Sequence, residues 1–304
     1  MIPENILVQL AEVMSSHRSE YRMVGIEHLH ELQSQLLQQY SLGSFDEEFF
    51  QERLTFLRFQ PPDDCRDARS IIVVAVPQPI VIVNFTYNGT VRSVTIPPTY
   101  DQQTDREIKE SIEKVLNPAG YVISRARVPE KMLATHNGLM QYGRNNIGYV
   151  PQKGSFHRSV TFFTNLTCND KQWMQPERMD RCNRCKACIK ACPTGAIGED
   201  RFLLHAERCI TFHNEHVKEV PDYVDPSMHH CLLGCMICQK VCPENRKFVD
   251  WIEVKEHFTE KETSDILRGI SFDQLDPETQ YKLDRLSLTE DYFLLARNLG
   301  LLLT

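Results

Sequence analysis

At 304 residues, with 41% hydrophobic and 25% charged, the chain has the make-up of a soluble globular protein with one large domain and a smaller one. Its formal net charge of −7 and the lack of a basic stripe argue against a nucleic-acid partner, and no run approaches the roughly eighteen apolar residues of a membrane span. The first residues lack a basic leader, an apolar stretch and a small-residue cleavage site, so the expected location is the cytoplasm.

The opening segment reads as an amphipathic helix with Ile6, Leu7, Leu10, Val13 and Met14 on one face, and helical character extends to about residue 65, where QPPDDC breaks it. SIIVVAVPQP, 70–79, is a short β-branched apolar run and reads as a buried strand. VIVNFTYNGTVRSVTI is two alternating runs about Asn88-Gly89, which predicts a hairpin. A helix follows in TDREIKESIEKVLNPAG, capped by Thr104, with Ile108, Ile112, Val115 and Leu116 as its stripe and Pro118 just past its end. This alternation, up to about residue 165, predicts a mixed α/β domain with a sheet covered by helices.

GLMQYGRNNIGYVPQKGSFHRS is too polar for a core element, and a loop of that length is a functional signal. Its glycines at 138, 143, 148 and 154 match neither a dinucleotide nor a P-loop spacing, so ordinary loop chemistry is the competing reading. From 251 onward helices are predicted. Asp276-Pro277 is a cap followed by a first-turn proline, and TEDYFLLARNLGLLL carries a broad apolar face.

Eleven cysteines in a reducing compartment are not a disulfide framework, and nine of them lie between 182 and 242. Cys65 and Cys168 stand apart and read as buried or bystander residues. In CNRCKACIKACPTGAI, three cysteines at two-residue gaps can wrap one side of an iron–sulfur cluster, while Cys192 lies one residue further on, before Pro193. In two-cluster ferredoxins that fourth thiolate serves the other cluster. The second run this requires is CLLGCMICQKVCPEN, where Cys235, Cys238 and Cys242 repeat the ending. One 4Fe–4S set is therefore Cys182, Cys185, Cys188 and Cys242. The other takes Cys192, Cys235 and Cys238 plus either Cys209 or Cys231, and spacing leaves both open. An all-thiolate zinc site from Cys182, Cys185, Cys235 and Cys238 is the alternative; it strands Cys188, Cys192 and Cys242, each at a ferredoxin offset. Two clusters imply one-electron traffic.

RCNRCKACIKACPTGAI, FLLHAERCITF and GCMICQKVCPEN resemble the cluster domain of the epoxyqueuosine reductases and, more distantly, that of the reductive dehalogenases. Upstream, VPEKMLATHNGLMQYGRNNIGYVPQKGSF resembles the segment lining the cobalamin in that family. The likeness is close from about 120 to 245 and loose from about 65 to 300. It implies an α+β fold: a nitroreductase-like α/β domain over 1–172, a bacterial-ferredoxin-like double-cluster domain over 173–250, and C-terminal helices over 251–304. It also implies that Cys209, rather than Cys231, completes the second cluster. Electrons from a ferredoxin or flavodoxin-type donor would pass through the clusters to a cobalamin, whose low-valent cobalt attacks an electrophile. Tyr142, Gly143, Arg144, Asn145, Asn146 and Ser155 are the expected cofactor contacts, and Tyr142 and His136 the candidate proton donors. No histidine lies within 138–156, and neither His136 nor His157 sits in an Asp-x-His context, so no protein histidine is expected below the cobalt.

Two departures bear on the substrate. Alignment on VPEK puts Ser124 where the family carries an acidic proton donor, and serine is no acid near neutral pH. The helical-repeat extension with which many members grip tRNA is not found before residue 304. The expected function is thus an iron–sulfur oxidoreductase that uses cobalamin to reduce a small molecule. The alternatives are an electron carrier activating a partner corrinoid protein, and epoxyqueuosine-tRNA reduction with a substitute acid.

Overall fold

The computed structural model describes residues 4–168 and 172–303. The chain opens with α1 (Glu4–Ser16), β1 (Glu20–Gly25), α2 (Leu29–Ser41) and α3 (Glu47–Arg53), then β2 (Ser70–Pro77), β3 (Ile80–Tyr87), β4 (Thr90–Ile96) and α4 (Gln103–Leu116). β5 (Ile123–Arg125), α5 (Glu130–His136), the short pair β6 (Gln141–Tyr142) and β7 (Gly148–Tyr149), and β8 (His157–Thr164) follow. The cysteine region holds α6 (Ala187–Ala191), α7 (Ile210–Asn214) and α8 (Ile237–Lys240). The chain closes with β9 (Ile252–Phe258), α9 (Glu260–Leu267), α10 (Pro277–Arg285) and α11 (Tyr292–Leu303). Among the described residues no helix is long and apolar enough to cross a membrane.

These elements form two interleaved units, residues 1–77 with 104–185 and residues 78–103 with 186–304. The hairpin leaves the α/β part of the chain because β3 pairs in parallel with β9, more than a hundred residues later in sequence.

In the first unit an antiparallel sheet runs in the order β1-β2-β8-β5. β2 sends Ile71, Val73 and Ala75 into one core and Ile72, Val74 and Val76 into the other. Both faces are covered, so its sequence is continuously apolar rather than alternating. One core is closed by α2, by Leu133 and Ala134 of α5, and by Leu139, Met140 and Val150 of the loop beyond it. The other is closed by Ile6, Leu10 and Met14 of α1 and by Ile108, Ile112 and Leu116 of α4. Each large aliphatic side chain so buried contributes about 1.5–3 kcal/mol. β1 is a strand where helix was expected, because EYRMVG gains its ladder only from the edge of β2. Thr104 lies inside α4 rather than capping it; the Gln103 N–H donates to Asp101 Oδ1 at 3.1 Å instead.

In the second unit β3 lies between β4 and β9. Asn88 and Gly89 both take positive φ, as a tight two-residue hairpin requires. Val81, Val83, Phe85, Val94, Ile96 and Phe258 pack against Ile266, Leu283, Leu294, Leu295 and Leu299 of the last three helices. Asp276 caps α10 as expected, accepting from the Thr279 N–H at 3.1 Å. β9 is a strand within a segment expected to be helical, and Ile252 and Val254 alternate with charged residues there.

Candidate iron–sulfur and cofactor site

α6 and α8 are short helices that lie against each other in the second unit. Each carries one cysteine within it, Cys188 or Cys238, and a second just beyond its end, Cys192 or Cys242, followed by proline. Packing two such helices together carries the far cysteine of one toward the near cysteines of the other. The Cys192 thiol is near enough to Cys209 and Cys235 to raise both electrostatically, and Cys209 likewise raises Cys235. The fourth cysteine of the first run is thus close to one thiol of the second, Cys235, and to Cys209 between the runs.

Burial pushes the Cys235 thiol up to about 12 and also raises Cys209. Thiols held this way keep their protons near neutral pH until a metal displaces them. Half-buried, desolvated all-sulfur donors of this kind fit an iron–sulfur cluster. Among the described residues, no three metal-ligating side chains close on a point that one ion would fill.

Cys231 differs. It is buried beside Leu232 and Leu233, which belong to the core of the second unit, and the Leu232 N–H donates to the Thr95 carbonyl at 2.8 Å. Its thiol is pushed up to about 12, first by burial and then by Cys235. The three-residue gap before Cys235 is thus occupied by core leucines.

A polar network fixes the approach of these segments. α7 begins immediately after Cys209 and ends at Asn214, whose Nδ2 donates to the Gly234 carbonyl at 2.8 Å, one residue before Cys235. From α11, Asn298 Nδ2 donates to the carbonyls of Asn214 at 2.8 Å and Leu232 at 2.9 Å. Arg297 donates to the carbonyls of His213, Asn214, His216 and Lys218. The last carbonyls of α7, which have no partner within the helix, are thereby satisfied.

In the first unit the 138–156 loop lies over the face that carries α5. Tyr142 is buried, its hydroxyl bonded to Thr135 and pushed up to about 12 by desolvation. Gly143 is required because a Cβ there would overlap Asn145 Oδ1 and the Tyr149 ring. Asn145 Nδ2 donates to the Tyr149 hydroxyl at 3.0 Å. Asn146 adopts positive φ and is buried, and its Nδ2 has no acceptor in the protein; Asn137 Nδ2 and His157 Nδ1 are likewise buried without partners. Ser155 is buried. Arg144 donates through Nε and Nη2 to the Cys182 carbonyl, tying the loop to the first cysteine of the cluster run.

His136 has both ring nitrogens engaged, Nδ1 with the Met174 carbonyl at 2.7 Å and Nε2 with Gln35 Oε1 at 2.8 Å, and its ring stacks on Trp173. Ser124 is buried and donates to Asp64 Oδ2 at 2.9 Å. Sequence reasoning missed Lys131, whose ammonium bonds the backbone carbonyl of Asn146 at 2.6 Å and sits 5.7 Å from the centre of the Tyr142 ring. A signal was present: Lys131 and Thr135 are four residues apart on α5, hence on one face, and both meet Tyr142.

Comparison with known proteins bears on this arrangement. Residues 181–245 match a 4Fe-4S double cluster binding domain. The chain is similar to the epoxyqueuosine reductases. That of Cyclobacterium marinum is 32% identical over 146 residues, 46% of each chain, and that of Synechococcus sp. (strain CC9605) is 34% identical over 120 residues, 39% of this chain and 36% of its own. The matched region thus spans less than half the length of these relatives. Among solved structures, epoxyqueuosine reductase from Bacillus subtilis, captured with its catalytic aspartate loop swung out of the active site, superposes with a TM-score of 0.68. It is 21% identical, and the match covers 98% of this chain and 82% of that one. An epoxyqueuosine reductase solved with an epoxyqueuosine-modified tRNA stem loop gives 0.61 at 18% identity, covering 98% and 84%. The mixed α+β fold is shared with both.

Proposed function

We propose that this chain is an iron–sulfur oxidoreductase that passes electrons singly through two 4Fe–4S clusters to a cobalamin held by the 138–156 loop, for reduction of a small molecule. Its clusters are ligated by Cys182, Cys185, Cys188 and Cys242, and by Cys192, Cys209, Cys235 and Cys238. The observation that carries the reading is the position of Cys192 among Cys209 and Cys235, the crossed arrangement of two-cluster ferredoxins. The cofactor half is supported by Asn137 and Asn146, whose unpaired amide donors suit the amide rim of a corrinoid.

When bound, cobalamin supplies a metal centre that accepts electrons singly and attacks an electrophile. The chain's own residues shape and dry the site: Gly143 and Asn145 hold the loop, and Arg144 anchors it at Cys182. Tyr142 stays protonated at neutral pH and is the proton donor, since His136 has both nitrogens engaged. The test is titration of the reconstituted protein with cob(II)alamin, followed by paramagnetic resonance. Binding at micromolar protein is expected. No binding would move the reading to an electron carrier that serves a partner corrinoid protein.

The relatives' name brings a second reading, reduction of epoxyqueuosine in tRNA. Asp64, bonded to Ser124, would then be the substitute acid. Turnover of epoxyqueuosine-bearing tRNA, lost on Asp64→Asn, would establish it.

A further inference from the structure

Lys131 is a lysine without an acid. The side chain is partly buried, and its ammonium touches only neutral groups: the main-chain and side-chain oxygens of Asn146, at 2.6 and 3.2 Å, and the face of Tyr142. Glu130, its neighbour in sequence, faces elsewhere, paired with Arg125 at 2.7 Å and accepting from Thr161 at 3.1 Å. Desolvation pulls Lys131 down to about 8, and no carboxylate offsets it. A buried cation normally costs several kcal/mol unless an opposite charge compensates it.

Beside this ammonium lies a second unmet donor. Asn146 is more than nine-tenths buried, its Oδ1 is taken by Lys131, and its Nδ2 has no acceptor. The two donors belong to one small neighbourhood, because the amide nitrogen is bonded to the same carbon as the oxygen Lys131 holds. Gly148 lies against the lysine stem, 3.6 Å from Cγ by the position a Cβ would take. Asn146 holds a left-handed conformation that favours Gly, yet the chain has the amide there.

We propose that Lys131 and Asn146 together form a site for an anionic oxygen ligand, a phosphate or a carboxylate. Two donors lie close together there, one cationic, and neither has a charged partner. The inference deepens the cobalamin reading: the anion is either the phosphodiester of cobalamin's nucleotide tail or an acidic group on the substrate.

The experiment is competitive amine labelling of the full-length, cluster-reconstituted protein at pH 8, read residue by residue by mass spectrometry. An anion on Lys131 keeps it protonated and slows its labelling. The probes are inorganic phosphate, acetate, cobalamin, and cobinamide, which lacks the nucleotide phosphate. Inorganic phosphate is expected to slow Lys131 labelling several-fold while exposed lysines such as Lys261 do not change. Protection by cobalamin but not cobinamide assigns the anion to the nucleotide tail. Protection by inorganic phosphate or acetate, without that difference between corrinoids, assigns it to the substrate. If neither corrinoid binds yet phosphate protects, the site stands and the cobalamin reading falls. Asn146→Gly keeps the backbone conformation and the carbonyl bond to Lys131 but removes the second donor, and it should weaken phosphate protection several-fold. Unchanged labelling of Lys131 with all four probes, or full protection in Asn146→Gly, overturns the proposal.

Discussion

Asn298, on the last helix, donates from Nδ2 to the main-chain carbonyl of Asn214, at the end of the helix that starts beside Cys209. The same amide reaches the Leu232 carbonyl in the second cysteine run. Replacing Asn298 with Ala removes the amide donor from the Leu232 carbonyl and leaves the Asn214 carbonyl only the longer bond from Arg297, at about 1–3 kcal/mol for a buried acceptor left unmet. The expected result is a protein that keeps its first cluster and loses or rapidly sheds its second, seen as a fall in iron content and one missing resonance signal. Asn298→Ala retaining both clusters with unchanged lifetimes would show that α11 does not position them.

Cys209→Ser is expected to lose one cluster while Cys231→Ser keeps both. Cys192 acts on Cys209 and both act on Cys235, whereas Cys231 feels Cys235 but not Cys192 and adjoins the core residues Leu232 and Leu233. Paramagnetic resonance of the two reduced variants decides it; a single cluster in Cys231→Ser would reverse the assignment.

Full reconstitution should give about eight irons per chain, as two cubane clusters require. Four or fewer, or stoichiometric zinc, would refute the double-cluster assignment.

Gly143→Ala drives a methyl group into Asn145 and the Tyr149 ring. Cob(II)alamin affinity should drop at least tenfold with iron content unchanged, since the cysteines are not disturbed. The resonance spectrum of bound cob(II)alamin in the unaltered protein should show no nitrogen splitting from a protein histidine. His157 is the flanking histidine with an unpaired nitrogen, so His157→Phe should leave that spectrum as it was.

Lys131 gives a pH signature. Unfolded, it keeps its proton to about 10.5; folded, it gives the proton up near 8. Between these values the unfolded chain binds more protons, so the folded state gains stability as pH rises and pays the full penalty below pH 8. Relative to Lys131→Met, the unaltered chain should gain on the order of 2–3 kcal/mol across that window. Chemical denaturation at pH 7.5 and 10 measures it, and parallel curves for the two proteins would mean that Lys131 is not desolvated.

Local chemistry made much of this protein legible in its sequence. The cysteine offsets point to two clusters, Asn88-Gly89 to a hairpin, and Asp276-Pro277 to a helix start, because each depends on residues a few positions apart. The strands β1 and β9 were not legible, since each gains its hydrogen bonds from a strand distant in sequence. Spacing alone left Cys209 and Cys231 open. In the folded chain Cys209 lies within reach of both Cys192 and Cys235, while Cys231 is buried next to Leu232 and Leu233 and within reach of Cys235, which supports proposing Cys209 as the ligand. A lysine beside a glutamate reads as an ordinary surface pair. Only the packing of α5 under the loop turns Glu130 toward Arg125 and leaves Lys131 without a countercharge, because desolvation is a property of the whole enclosure and not of neighbouring residues.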